Sequence, residues 1–366
     1  LAMQNINSAH HKQNQFSQEL RVTSPAGQRL EYVAGLFYFD QDVSTTTEIL
    51  GNFGQVLPAG QYFQNFIDRA ISTRNYAVFG QATFNVTDQL RLIGGLRYTN
   101  EELKARFLRT VPAGARAAVP SLGGPPLDAP HLNAKDDDVS GKLGVQYEVS
   151  DDVMAYATYS RGYKGQAINL LNNLSAATVN SGKYVLAPET VNNYEIGLRT
   201  TPFDRRMIFN ITLFQTEIEN FQAQTFDALT TSFALANAGE LRSRGVELET
   251  QYRPNQAFQF SANVAYADTR IEDFAPACYP GQTAALGCVG GRQEVTGSAL
   301  TNAPMWSYTL GASYNRPLES IPFDLTADVS YSYRSSVFFT FRDPNTIQPG
   351  YGLLNLNVGL RSNDGR

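Results

Sequence analysis

The 366 residues give room for one very large core or two ordinary ones, and only 17% of them are charged, against roughly 25% in an average soluble domain. Lys and Arg total 29 against 34 Asp and Glu, a net charge of −5; that balance argues against a general nucleic-acid binder, which needs a basic face. The 19 Tyr, 22 Phe and 1 Trp are too many for a disordered chain. No apolar run approaches the roughly 20 residues of a membrane-spanning helix, and the opening LAMQNINSAHH carries no signal-peptide pattern, which says nothing about destination.

One pattern recurs along the chain: alternation of apolar and polar residues, the signature of a strand whose side chains point to opposite faces. Phe16, Gln18, Leu20 and Val22 alternate with Ser17, Glu19, Arg21 and Thr23. Tyr76, Val78, Gly80, Ala82, Phe84 and Val86 face away from Gln81, Thr83 and Asn85. Val139, Leu143, Val145, Tyr147 and Val149 oppose Ser140, Lys142, Gln146, Glu148 and Ser150, and Tyr194, Ile196 and Leu198 oppose Asn193, Glu195 and Arg199. Val246, Leu248 and Tyr252 oppose Glu247, Glu249, Gln251 and Arg253. The stretch FQFSANVAYADTRIEDF sets Phe258, Phe260, Ala262, Val264 and Tyr266 against Gln259, Ser261, Asn263, Ala265 and Ala267. Trp306 to Asn315, Phe323 to Arg334 and Leu354 to Arg361 repeat the design. The count comes to about thirteen strands, many of about nine residues or more, the length a tilted strand needs to cross a bilayer.

The connections alternate too. TSPAGQR, NVTDQ, VSDDV, TPFDRR, RPNQA and NRPLESIPF are tight links rich in turn residues. Between them lie long polar segments: Asp40 to Ser72, Thr99 to Asp138, Arg161 to Glu189, Glu217 to Arg242, Asp268 to Pro304 and Ser335 to Gly350. Strands that simply go up and down place every tight turn at one end and every long loop at the other, the layout of an outer-membrane barrel with short periplasmic turns. The polar face is mostly Asn, Gln, Ser, Thr and Gly, suited to a wet or plugged lumen. The apolar face carries Tyr and Phe near strand ends, where aromatic girdles sit at the lipid boundary. Closure satisfies the backbone in lipid, which an open sheet cannot do. The predicted fold is therefore all-β, a transmembrane antiparallel up-and-down barrel, rather than a soluble sandwich or propeller.

SQELRVTSP with EYVAGLFYFDQD, YAVFGQATFNVTDQLRLIGGLRYTNE, MAYATYSRGYKGQAIN and LAPETVNNYEIGLRT resemble, in order, the barrel of TonB-dependent outer-membrane receptors. FNITLFQTEIENFQ, NAGELRSRGVELETQYRP and GYGLLNLNVGLRS extend the likeness over nearly the whole chain, nearest to the iron-siderophore branch. The resemblance implies a receptor of the Gram-negative outer membrane, set in lipid and lipopolysaccharide. Its loops would capture a scarce ligand such as a ferric siderophore, imported with energy from the TonB complex. The family's barrel has twenty-two strands, preceded by a plug domain and a motif that engages TonB. Neither is present here, and the chain stops at RSNDGR, a tight-turn composition, instead of an aromatic strand terminus. Residues 1–366 thus read as a partial barrel, without the plug, the first strands or the last strands. A passive porin-like channel and a structural or adhesive barrel are the alternatives.

Enzyme chemistry finds no support: no phosphate-cradling Gly loop and no nucleophile motif beside a suitable His occurs. No cofactor is implied. His10, His11 and His131 lack metal spacing, and Asp136 to Asp138 form either a calcium loop or a solvated strand edge. Asn85 and Asn210 match a glycosylation pattern that has no meaning in or beside a strand. Cys278 and Cys288 are the only cysteines; so close a pair suits an extracytoplasmic loop closed by a disulfide, the alternative being two free thiols. YSRGYKGQ places Tyr159, Arg161, Tyr163 and Lys164 where a strand leaves the membrane on the long-loop side. Arg161, Tyr163 and Lys164 are candidate ligand contacts, because a planar cation, a point charge and an amphipathic ring suit an anionic chelate; otherwise they are snorkelling strand-end architecture. SSVFFTFRDPN clusters Phe338, Phe339, Phe341 and Arg342 at the edge of a long loop; Phe338 and Arg342 are the second candidate pair, the alternative being aromatics that pack the loop onto its neighbours.

Overall fold

The computed structural model describes residues 5–51, 62–115, 124–172, 174–227 and 232–362; the last residues of RSNDGR, 363–366, lie outside them. The alternating stretches form β1 (Asn5–Thr23), β2 (Leu30–Gly51), β3 (Phe63–Asn85), β4 (Leu90–Thr110), β5 (Leu127–Ser150), β6 (Val153–Lys164) and β7 (Glu189–Thr200). They continue as β8 (Met207–Asp227), β9 (Ser232–Tyr252), β10 (Phe258–Ile271), β11 (Trp306–Pro317), β12 (Phe323–Arg334) and β13 (Tyr351–Ser362). Each strand pairs antiparallel with the one before it, in a single sheet of 13 strands. This is the up-and-down order that the alternating links predict.

The tight links are closed locally. Ser24 N–H donates to the Tyr32 carbonyl (2.9 Å), Gly27 takes φ 76°, and its N–H donates to Glu31 Oε1 (2.7 Å). At the β9–β10 turn the Asn255 side-chain oxygen accepts from the N–H groups of Ala257 and Phe258, a turn that Asn makes with its own backbone.

The long segments differ from the sequence reading. Asp40 to Ser72, Thr99 to Asp138 and Glu217 to Arg242 are largely strand, because β2–β5, β8 and β9 run 21 to 24 residues. At about 3.3 Å per residue such strands exceed the ~25 Å apolar band of an outer-membrane barrel, so they stand out of it as paired hairpins. Their lengths of pairing compensate the backbone where no lipid requires it.

Register keeps the two faces separate. Val264 pairs with Tyr308, Leu310 with Tyr331, and Val329 with Leu356 on the apolar face. Leu310, Val329 and Leu356 are exposed there, with Leu96, Leu143 and Ile196 on the earlier strands. Asn263 pairs with Thr309 on the polar face, Asp328 with Asn357, and Asn355 with Ser330. A band of exposed Leu, Ile and Val across a whole sheet is a lipid face. Where the hairpins rise above this band, the inward face turns apolar. Ile49, Phe63, Ile67, Leu103, Phe107, Ala129 and Leu132 form a buried core. The β6–β7 connection covers it with Ile168 and Leu174, and carries the short helix α1 (Ala176–Asn180) capped by Ser175. A second core, around Leu241, Ile271, Phe274 and Val295, lies under the β10–β11 connection.

Candidate ligand-binding end of the barrel

β6 builds the first candidate site. Its pairing with β5 ends at Gly141–Arg161, while its pairing with β7 continues to Lys164–Glu189. The two strands part there, and side chains fill the gap. Arg161 donates to both carboxylate oxygens of Asp138 (2.5 and 2.8 Å) and to the Val139 carbonyl. Tyr163 donates its phenol proton to Asp136 Oδ2 (3.0 Å). Burial pushes the Tyr163 phenol far above its usual range, and the neighbouring Asp136 adds to the shift. Lys164 Nζ lies 2.7 Å from Glu189 Oε1, an oxygen that also accepts from Gln222 N–H (2.7 Å). All three candidates thus have carboxylate partners, while Lys164 keeps 58% of its side chain exposed.

Behind them the β6–β7 connection is clamped at its base. Asn237 accepts from Ala187 N–H (2.9 Å) and donates to the Ala187 carbonyl (3.0 Å), while Gln222 donates to the carbonyls of Gly165 and Ala187. Asn220, at φ 54°, breaks the β8–β9 ladder between Glu219–Glu240 and Phe221–Ala238. Glu101, bonded to Asn75 (3.3 Å), sits against Gly165; burial raises its carboxyl above the usual range, against the lowering effect of that hydrogen bond.

Phe338 and Arg342 lie in the β12–β13 connection. Phe338 is half-buried against Phe341 (ring centroids 6.3 Å), and Phe341 meets Phe274 of the second core. Arg342 is exposed, at φ 56°, beside Gly287 of the cysteine loop. Cys278 and Cys288 are joined by a disulfide, with Cα atoms 5.7 Å apart. The structure therefore brings Phe338 and Arg342 to the disulfide loop and keeps Arg161, Tyr163 and Lys164 in a separate cluster.

Among the described residues no group of His, Cys, Asp and Glu is placed to hold a metal ion. His11 Nδ1 contacts Thr45 Oγ1 (3.1 Å), and His131 is exposed on β5. Asp136 and Asp138 are taken by Tyr163 and Arg161. Asn85 donates to the Gln28 carbonyl in the β1–β2 turn, and Asn210 donates to Glu249 across the β8–β9 pair.

A 13-stranded meander with a lipid-type face, a polar face and connections folded over one end has its counterpart in one family. The model of the TonB dependent receptor-like beta-barrel matches residues 3–365. The chain belongs to that family. It is thus a β-barrel of the Gram-negative outer membrane. It is similar to the ferric-pyoverdine 358 receptor of Pseudomonas putida, 24% identical over 85% of this chain and 32% of that protein. It is also similar to the pesticin receptor of Yersinia pestis, 26% identical over 69% of this chain and 33% of that protein. The chain therefore spans about a third of the length of the curated relatives it matches. The crystal structure of the ferric yersiniabactin uptake receptor FyuA from Yersinia pestis superposes with a TM-score of 0.75, covering 98% of this chain and 48% of that one at 19% identity. The siderophore receptor PiuA from Acinetobacter baumannii gives 0.66 at 18% identity, covering 97% and 50%. At these identities the likeness shows the fold alone.

In this receptor barrel, sequence reasoning missed two arginines. Arg69 on β3 and Arg109 on β4 point inward above the lipid band, and Arg109 is 1% exposed. The signal that could have found them is the apolar alternation Phe63, Ile67, Ile71 and Leu103, Ala105, Phe107 inside segments that otherwise read as polar loops.

Proposed function

We propose that this chain is part of a longer outer-membrane receptor that binds a ferric siderophore on its extracellular side and imports it with energy delivered through TonB. The plug, the TonB-engaging motif and the remaining strands belong to that reading as further parts of the receptor. The single observation that carries it is family membership as a TonB-dependent receptor barrel, read with the names of its relatives. The geometry is consistent with it: connections carrying cations and aromatics fold over one end, whereas the other end has only tight turns, too short to enclose a ligand. Arg161, Tyr163, Lys164, Phe338 and Arg342 are the proposed barrel contacts. Lys164 and Arg342 are the more available of these, since Arg161 and Tyr163 must leave a carboxylate to meet a ligand. The barrel does no bond chemistry in this reading.

Lipopolysaccharide is the proposed outward partner. Arg242 and Arg270 are directly paired on the outward face, with Arg244 just below; each also meets a carboxylate, Glu272 for Arg242 and Asp268 for the other two. Guanidinium forks there suit lipid phosphates. Retention of lipopolysaccharide by native mass spectrometry should fall in Arg242→Ala/Arg244→Ala; unchanged retention would remove this partner.

The function is tested by growth. Cells lacking their own siderophore receptors and carrying the full receptor should grow under iron limitation on at least one of a panel of ferric siderophores. Failure on hydroxamate, catecholate and mixed-ligand siderophores alike would overturn the assignment.

A further inference from the structure

Arg69 and Arg109 are held in an uncommon way. The β3–β4 register puts Arg109 directly opposite Ile67, hence diagonal to both Asn65 and Arg69, and all four share the inward face. Arg69 donates from Nη1 to the Leu170 carbonyl (3.2 Å) and from Nη2 to Asn172 Oδ1 (3.0 Å) and Thr47 Oγ1 (3.1 Å). Arg109 donates to the carbonyls of Pro125 (2.8 Å), Asn172 (2.7 Å) and Leu174 (3.1 Å). Among the described residues neither guanidinium makes an ion pair, and burial lowers the pKa of both with no carboxylate opposing it. Beside them Asn65 is fully buried, and among the described residues neither its side-chain oxygen nor its side-chain nitrogen has a hydrogen-bond partner; the buried Arg69 Nε likewise has none there.

A buried cation without a counter-charge keeps a desolvation penalty that nothing repays, and a buried polar group without a partner adds to it. Neutral carbonyl oxygens compensate a guanidinium less well than an anion does. The oxygens on these two arginines come largely from one surface connection, through Leu170, Asn172 and Leu174, whose removal would open the cluster toward the barrel's mouth. The amide of Asn65 adds a donor and an acceptor that no described residue uses.

We propose that Arg69, Arg109 and Asn65 form a latched binding site for a carboxylate-bearing molecule, kept shut by the β6–β7 connection, whose oxygens occupy the guanidiniums until a carboxylate displaces them. Asn172 is the latch, since its side chain serves Arg69 and its carbonyl Arg109. In the receptor reading, on which the ligand's source depends, such a site would take the carboxylates of an incoming chelate. Opening of the connection would then accompany capture.

The test uses the intact receptor in outer-membrane vesicles, with an environment-sensitive fluorophore on Ala177→Cys in the exposed face of α1 and the native disulfide in place. The probe is tricarballylate, a metal-free tricarboxylate, with glycerol as the uncharged control. A saturable fluorescence change with tricarballylate alone is expected, weakened at least tenfold in Arg69→Gln/Arg109→Gln. Asn172→Ala separates a latch from a structural staple. Loosening a competitor raises the population of the open form, so apparent affinity should rise about three- to tenfold; a mere staple leaves it unchanged or lower. No saturable response in the parent, or unchanged affinity in either variant, overturns the proposal. Because the readout needs neither iron nor TonB, a receptor whose connection responds but which imports nothing refutes only the receptor reading. One that imports without any such response refutes only this site.

Discussion

Arg161 grips both oxygens of Asp138, at 2.5 and 2.8 Å, at the point where β5 and β6 part. The bond closes a fork in the sheet, since below Gly141 the ladder does that work and above it only side chains cross. Asp138 is 13% exposed and Arg161 34%, which sets the pair between surface bridges, worth ~0.2–1 kcal/mol, and buried ones, which cost ~3–5 kcal/mol when one partner is removed. Arg161→Ala should therefore cost about 1–2 kcal/mol locally, read as faster amide exchange at residues 136–141. Asp138→Asn should restore part of it by removing the unpaired charge.

Arg161→Ala/Lys164→Ala addresses binding. If these cations meet the ligand, the assembled double variant binds and imports less; parental binding and import would confine them to holding the strand end. Lys164→Ala alone is the more telling variant, because Lys164 is largely exposed and its partner Glu189 also receives Gln222 N–H.

Facing predicts an asymmetry between neighbours. Arg at Val329 or Leu356 should cost ~2–4 kcal/mol at the bilayer midplane, and Arg at Asp328 or Asn355 much less. Urea unfolding in lipid vesicles measures both. Equal costs on the two faces would contradict the lipid assignment.

The disulfide closes a ring with sequence separation 10, so its constraint is local and on the order of 3 kcal/mol at most. Cys278→Ser/Cys288→Ser should leave the barrel resistant to protease while cleavage within 276–300 accelerates. Mobility of Phe338 and Arg342 should rise with it, since Arg342 lies against Gly287.

Glu101 carries a pH dependence whose sign follows from its raised folded pKa. The unfolded chain loses this proton first as pH rises, so the folded state is progressively disfavoured until pH passes the folded value. Glu101→Gln keeps an oxygen for Asn75 and removes the charge. It should equal the parent below about pH 4 and exceed it at neutral pH, measured by amide exchange around residues 99–103. A variant less stable at neutral pH would contradict the direction.

Much of the barrel was legible because lipid enforces a rule: from Phe16–Val22 to Leu354–Leu360, nearly every second residue is apolar, Gln18 being an exception. Above the lipid band that rule lapses. STTTEIL in β2 and the DDD run in β5 read as loop, yet they are strand, since pairing alone holds them. The site was legible only in part for a related reason. YSRGYK shows its cations, but their partners Asp138 and Glu189 come from other strands, and Arg69 and Arg109 become neighbours only through the β3–β4 register.

Energised import is decided by uptake of a radioiron-labelled siderophore in cells with and without TonB. Saturable uptake should vanish without TonB or with a protonophore, while binding at the cell surface persists. Uptake that rises linearly with concentration and ignores both treatments would contradict energised import and mark a passive channel.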